Sequence, residues 1–222
     1  MIGFIGAGKV GSSLSRFFYE YYVHKGINLL ALSSIYSKHV TSANETISLL
    51  KMISCNQATA CIPKVANSIA ELVKNSDFIF ITVPDSVISF VDEELYLLGK
   101  DALKDKLLVH CSGVLSAISA FKKSSELTDT VSLHPMLAFN SKETSIDSIQ
   151  KAFFTLEGSN TGIQKIKFLL NETGIQHTVL SSDASPDDLK AKYHLASVLV
   201  GNCVVGLFSM GQDLLCECGF SK

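Results

Sequence analysis

The chain has 222 residues, 47% hydrophobic and 18% charged, so it can bury a sizeable core and is not disordered by composition. A formal net charge of −2, with no run of five like charges, leaves no electrostatic footprint for nucleic acid and argues against an anionic membrane as partner. The length allows one large domain or two small ones.

Ile2-Gly3-Phe4-Ile5 is a short apolar run, followed at once by Gly6-Ala7-Gly8-Lys9-Val10-Gly11. Apolar residues at Val10, Leu14, Phe17, Phe18 and Tyr21 then recur at helical spacing. Strand, glycine turn and helix are the context in which G-x-G-x-x-G points to a dinucleotide. Gly6 serves the tight turn, Gly8 admits a pyrophosphate close to the backbone, and Gly11 lets helix pack on strand. The phosphates belong at the helix N-terminus, where free N–H groups and the dipole favour anions. No basic, apolar leader pattern opens the sequence, so the cytoplasm is the expected compartment.

The first helix should stop near His24-Lys25-Gly26, and the second strand should occupy the later part of Ile27 to Tyr36, Leu29 to Tyr36. An NAD site commonly carries an acid about 20 residues beyond the glycines, for the ribose 2′-hydroxyl. The interval Ile27 to Asn44 contains no acid but holds Ser34, Ser37, Lys38 and His39. Hydroxyls and a cation suit a 2′-phosphate, so NADP is expected ahead of NAD, with Ser37 and Lys38 as its ligands. Were Ser37-Lys38 only a solvated turn, that preference would vanish.

Thr41 to Met52 reads as a helix burying Ile47, Leu49 and Leu50, Thr59 to Ile62 as a third strand, and Asn67 as the next helix cap. Phe78-Ile79-Phe80-Ile81-Thr82-Val83 is a strand buried on both faces, stopped by Pro84. Thr82 to Ser86 then forms the loop at its carboxyl end, where ligands sit in an open α/β sheet, and Asp85 reads as a helix cap. Leu107 to His110 and Thr130 to His134 are further strands, running into Cys111-Ser112-Gly113 and Pro135. Phe153 to Leu156, a helix at Ile163 to Leu170 and a strand at Thr178 to Leu180 complete a doubly wound, mostly parallel sheet.

From Ser185-Pro186-Asp187-Asp188 the pattern is helical throughout, so we divide the chain into a dinucleotide-binding domain at 1–182 and the start of a helical substrate or dimerisation domain at 183–222. Leu195 to Met210 is almost wholly apolar but falls short of the roughly 20 residues of a membrane span, so a buried helix is expected. Leu189 to Cys216 is one helix, or two broken near Gly201 or Gly211. Six cysteines at 55, 61, 111, 203, 216 and 218 lack ligand spacing and read as buried, reduced small hydrophobes, and no metal is expected.

For chemistry, His134 is a candidate proton donor because the ordinary histidine pKa lies near neutrality. His110 lies further inside its strand and reads as structural. On the last helix His194 and Asn202 lie roughly 80° apart at 100° per residue and form the preferred catalytic pair, while Lys192 lies roughly 200° from His194. Each of these polar residues also has a packing explanation. Ser112, Val83 and Pro84 are expected near the nicotinamide end of the cofactor.

Gly6 to Gly11, Thr82-Val83-Pro84-Asp85, His110-Cys111-Ser112-Gly113, His134-Pro135-Met136 and Tyr193-His194-Leu195-Ala196 with Asn202 occur in order. This set resembles a Rossmann-like NADP-binding family with a C-terminal domain of unknown function. That group is similar to pyrroline-5-carboxylate reductase and, more distantly, to 6-phosphogluconate and 3-hydroxyisobutyrate dehydrogenases. The resemblance implies an NADP-binding domain, a helical second domain and a homodimer formed through the C-terminal helices. Members of that group continue for some tens of residues, so the chain is expected to be truncated at Phe220-Ser221-Lys222. The Lys-x-x-x-Asn helix pattern of the hydroxyacid dehydrogenases is absent at Lys192, because Ala196 stands four residues on. The expected function is an NADP-dependent oxidoreductase moving a hydride between nicotinamide and a small carbonyl, imine or hydroxy compound. The alternative is a non-catalytic NADP-binding sensor or accessory module.

Overall fold

The computed structural model describes residues 1–54, 61–181 and 183–221. Its first half alternates strand and helix: β1 (Ile2–Ile5), α1 (Lys9–Lys25), β2 (Leu32–Tyr36), α2 (Val40–Ser54), β3 (Lys64–Val65) and α3 (Ile69–Lys74). β4 (Phe78–Ile81), α4 (Asp85–Leu97), α5 (Lys100–Leu103), β5 (Leu107–His110), α6 (Ala117–Ala120) and β6 (Asp129–Pro135) continue it. Then come α7 (Ile146–Lys151), β7 (Phe153–Gly158), α8 (Asn160–Thr173) and β8 (Gln176–Val179). The chain ends in α9 (Pro186–Val198), a π-helical turn at Leu199–Cys203 and α10 (Val204–Glu217).

The strands form one sheet in the order β3-β2-β1-β4-β5-β6-β7-β8. All pairs are parallel except β6 with β7, so β7 and β8 run opposite to the rest. Strand order reverses between β1 and β4, and there the carboxyl-terminal loops part to leave a crevice. The apolar strands explain the layering. Phe4 and Phe80 stack at 5.0 Å and Phe18 of α1 closes on Phe80 at 5.4 Å, on one sheet face. Ile5, Ile79, Ile81 and Leu108 fill the other face against α3 and α4. Strands buried on both faces need apolar residues at every position, which is what Phe78–Ile81 and Leu107–Val109 supply.

Several sequence expectations shift. Thr59 and Ala60 of the expected third strand lie outside the described residues, Cys61 and Ile62 are not in a strand, and β3 lies at Lys64–Val65. Ser68, rather than Asn67, caps α3: its Oγ accepts from Glu71 N (3.1 Å) while Glu71 Oε2 accepts from Asn67 N (2.8 Å). β2 starts at Leu32 because Asn28–Leu30 forms a 3₁₀ turn first. Pro135 belongs to β6 rather than ending it, and Pro84 takes the cap position of α4, leaving Asp85 as its first residue. Leu49 is only half-buried beside buried Ile47 and Leu50.

The largest departures are at the end of the chain. α9, the π turn and α10 form one helix, Pro186–Glu217, long and apolar enough to cross a membrane, and none of its apolar stretch is buried. The expected buried helix is therefore exposed, with Leu199, Val204, Leu207, Phe208 and Leu214 outside. The reason is reach: its first turns pack on the rest of the chain, chiefly on α6, and the remainder extends past it. Cys61, Cys203 and Cys218 are likewise exposed rather than core residues, and Cys55 lies outside the described residues.

Candidate functional site

Two adjoining regions lie along the carboxyl ends of the strands. The first is a cavity of about 790 Å³ whose lining includes Gly6, Ala7, Gly8, Ser37, Lys38, Val83 and Pro84. Gly6 has φ +108°, and a Cβ there would meet the Thr82 backbone at 2.8 Å. Gly11 lets α1 approach the loop: a Cβ on it would stand 2.2 Å from Gly6 O. Thr82 Oγ1 donates to Gly6 O (2.9 Å) and ties the loop to the end of β4. Gly8 faces open space, so its backbone can be approached closely. The helix ladder begins at Ser12 N to Gly8 O, so the earlier amides of α1 have no intrahelical acceptor, and no acid stands in its first turn. This arrangement fits a pyrophosphate. Lys9, Val10 and Gly11 form that first turn without lining the cavity.

The second region is a polar cluster where β5, β6 and α9 meet. Ser112 Oγ donates to Asp85 Oδ2 (2.8 Å), linking the two regions, and accepts from Val114 N and Leu115 N. A Cβ on Gly113 would stand 2.7 Å from His194 Nδ1 and 2.8 Å from His134 Nε2, so both imidazoles converge on that residue. Their rings lie 6.3 Å apart, and His134 Nδ1 pairs with Tyr193 OH at 2.9 Å. His194 Nδ1 is buried against Gly113 without a hydrogen-bond partner.

Beneath them lies Lys190, only 1% exposed. Its Nζ donates to Ser112 O (3.1 Å) and Ser132 Oγ (2.9 Å). Burial pulls its pKa down to about 8, partly opposed by Glu157, Cys111 and Asp85. Glu157 is itself buried, accepts from Ala117 N (2.8 Å) and has its carboxyl pushed up by that burial. Asp187 anchors the same end of α9, accepting from Ser116 Oγ (2.6 Å) and Ser119 Oγ (2.8 Å). Burial, then the Lys190 charge, lowers His134 to about 4 and His110 to about 3, so both are neutral at ordinary pH. The Cys111 thiol, pushed up to about 12 by burial, is no nucleophile.

The structure thus brings together Ser112, His134 and His194 but leaves Asn202 exposed in the π turn, eight residues past His194. The pairing fails along the axis rather than around it: Asn202 stands about 12 Å further along the helix, past the turns that pack on the rest of the chain. His134 also lacks the near-neutral pKa assumed for a proton donor. Lys192 is exposed, and Lys190 is the residue that sequence reasoning missed. Its setting, Asp187-Asp188-Leu189-Lys190-Ala191-Lys192, reads as a solvated face. The available signal was helical phase: Lys190 and His194 are about 40° apart, with Tyr193 about 60° to the other side of Lys190.

A glycine loop at the strand-order reversal of a mostly parallel sheet, with a polar cluster beside it, defines a Rossmann-type nucleotide-binding oxidoreductase fold. The chain belongs to the family described as NADP oxidoreductase, coenzyme F420-dependent, whose sequence model matches residues 1–113. No curated protein matches it significantly. Among solved structures it is similar to a Thermotoga maritima protein at 26% identity and TM-score 0.66, covering 100% of this chain and 72% of that one. A pyrroline-5-carboxylate reductase from Coxiella burnetii matches at 15% identity and TM-score 0.66, with 99% and 72% covered. A Myxococcus stipitatus imine reductase in complex with NAD+ matches at 20% identity and TM-score 0.62, with 96% and 64% covered. The last two likenesses are of fold.

The neutral state of His134 is open to direct measurement. Its imidazole C–H resonances should titrate with a midpoint near 4 and stay those of the neutral ring between about pH 5 and 8. A midpoint at the ordinary 6.5 would contradict the burial argument.

Proposed function

We propose that the chain is a cytoplasmic NADP-dependent oxidoreductase, NAD being the less favoured cofactor, acting on a small carbonyl, imine or hydroxy compound. The observation that carries this reading is the enclosed Lys190 ammonium beneath a partly open face of His134, Tyr193 and His194, next to a cavity that fits a dinucleotide. The bound nicotinamide would supply or accept the hydride. Gly6 to Gly11 would hold the pyrophosphate and Ser37 with Lys38 the 2′-phosphate, while Val83, Pro84 and Ser112 flank the nicotinamide end. The half-exposed His194 ring and the His134–Tyr193 pair would orient the substrate.

Lys190 sits too deep to touch that substrate in this state, so it acts as a positioning residue through its charge. An ammonium there stabilises negative charge growing on a carbonyl oxygen during reduction and disfavours a substrate that arrives as a cation. Oxo compounds therefore suit the site better than preformed iminium ions. Free cysteines, three of them exposed, fit a reducing compartment. The helix Pro186–Glu217 is assigned to the C-terminal domain of unknown function named by the sequence resemblance.

The same helix is proposed to pair with a second copy of the chain. Its first turns are pinned to the rest of the chain by Asp187 and Lys190, and Gln212 and Asp213 interrupt the free apolar part that begins at about Leu195. Light scattering should give a dimer that Phe208→Glu dissociates, whereas flotation with phosphatidylcholine vesicles would overturn this in favour of a membrane.

Activity is tested by titrating NADPH and NADP by cofactor fluorescence, then screening keto acids, aldehydes and cyclic imines for oxidation of NADPH. Reduction should be flat below pH about 8 and fall about tenfold per unit above it, as Lys190 loses its proton. Lys190→Met should lower kcat with little change in KM and abolish that limb. Absence of binding at millimolar cofactor would sink the reading. Tight binding without turnover, unaffected by His134→Ala or His194→Ala, would leave the sensor or accessory module.

A further inference from the structure

The cavity around the glycine loop has a wall that no motif pointed to. Residues 140–144 follow β6 and lie beyond the family match at 1–113. Ser13 Oγ on α1 donates to Ser141 O (3.2 Å). Glu143 N donates to Ser141 Oγ (3.1 Å) and Thr144 Oγ1 to Ser141 O (3.2 Å). The first bond ties the loop to α1, and the other two fold it on itself. From it Lys142 reaches Glu45 on α2, Nζ to Oε2 2.7 Å, and lines the same cavity as Ser37, Lys38, His39 and Ser42.

We propose that Lys142 is a second cationic ligand for the 2′-phosphate of the cofactor, supplied from outside the strand–helix units that carry the recognised motif. The proposal rests on the reading of the site as NADP-binding. A phosphate monoester carries nearly two negative charges at neutral pH and is held best by several donors at once. Lys142 is suited to this because Glu45 already restricts where its ammonium can go, which lowers the entropy cost of ligand binding. The pair is also easily surrendered: the Glu45 side chain is 64% exposed, and exposed ion pairs are worth little. Glu45 and the phosphate therefore compete for one ammonium. Removing Glu45 should help the ligand, whereas removing Lys142 should harm it.

The test uses calorimetric titration of the full chain with 2′,5′-ADP and with 5′-AMP, which differ in the 2′-phosphate alone. Thermal melts establish that each variant is folded. Lys142→Met should weaken 2′,5′-ADP by about tenfold and leave 5′-AMP unchanged. Glu45→Gln should leave 2′,5′-ADP unchanged or tighter. If the unaltered chain does not prefer 2′,5′-ADP, the NADP reading falls, and this proposal with it. If it does and Lys142→Met keeps the full preference, the Lys142 assignment alone is overturned. If both variants weaken both ligands alike, the pair is a clasp that shapes the loop, and the assignment is again overturned.

Discussion

A single ammonium fixes how the two parts of this chain meet. Lys190 enters from the first turns of α9 and gives two of its three hydrogens to Ser112 O at the end of β5 and Ser132 Oγ on β6. A lysine 1% exposed loses its hydration, so it is tolerated only where acceptors and negative charge replace water. Here a carbonyl, a hydroxyl and the nearby Glu157 do so. The placement of Tyr193 and His194 follows from it, since both share that helical face and are carried over Gly113 when the lysine seats.

That seating also settles the electrostatics of the cluster. Burial first, and then the charge of this one cation, hold both His110 and His134 neutral. A neutral His134 can accept or donate one hydrogen bond but is a poor source of a proton. The cluster is therefore better built to stabilise charge than to relay it, with Lys190 as the group whose ionisation matters. The glycine loop contributes nothing to this chemistry. It supplies a crevice, shaped by the contact of Gly11 with Gly6 and by Thr82, into which a phosphate-bearing ligand fits.

How much of this could be read in the sequence depended on how local the cause was. The strand, glycine turn and helix at Ile2 to Tyr21 were legible because a positive φ at Gly6 and a close approach at Gly11 demand glycine within one short segment. Phe78–Ile81 was legible because burial on both faces leaves an unbroken apolar run. The pairing of β6 with β7 in the opposite direction was not, since strand direction leaves no mark in a six-residue strand. Nor was the π turn at Leu199–Cys203, nor the run of the last helix past its contacts, which carries Asn202 into the open and away from the pair expected with His194. Lys190 was hidden by its neighbours: two acids and a second lysine made a buried charge look solvated. Its acceptors lie 58 and 78 residues away in sequence, so only the fold could reveal them.

The central claim is that Lys190 is a buried, easily deprotonated cation beneath the substrate face. It is tested most directly by NMR titration of lysine side chains labelled at Cε, with the Lys190 resonance assigned by comparison with Lys190→Met. The account predicts a midpoint near 8 for that resonance. A midpoint at the ordinary 10.5, with the exchange of a solvated amine, would contradict it.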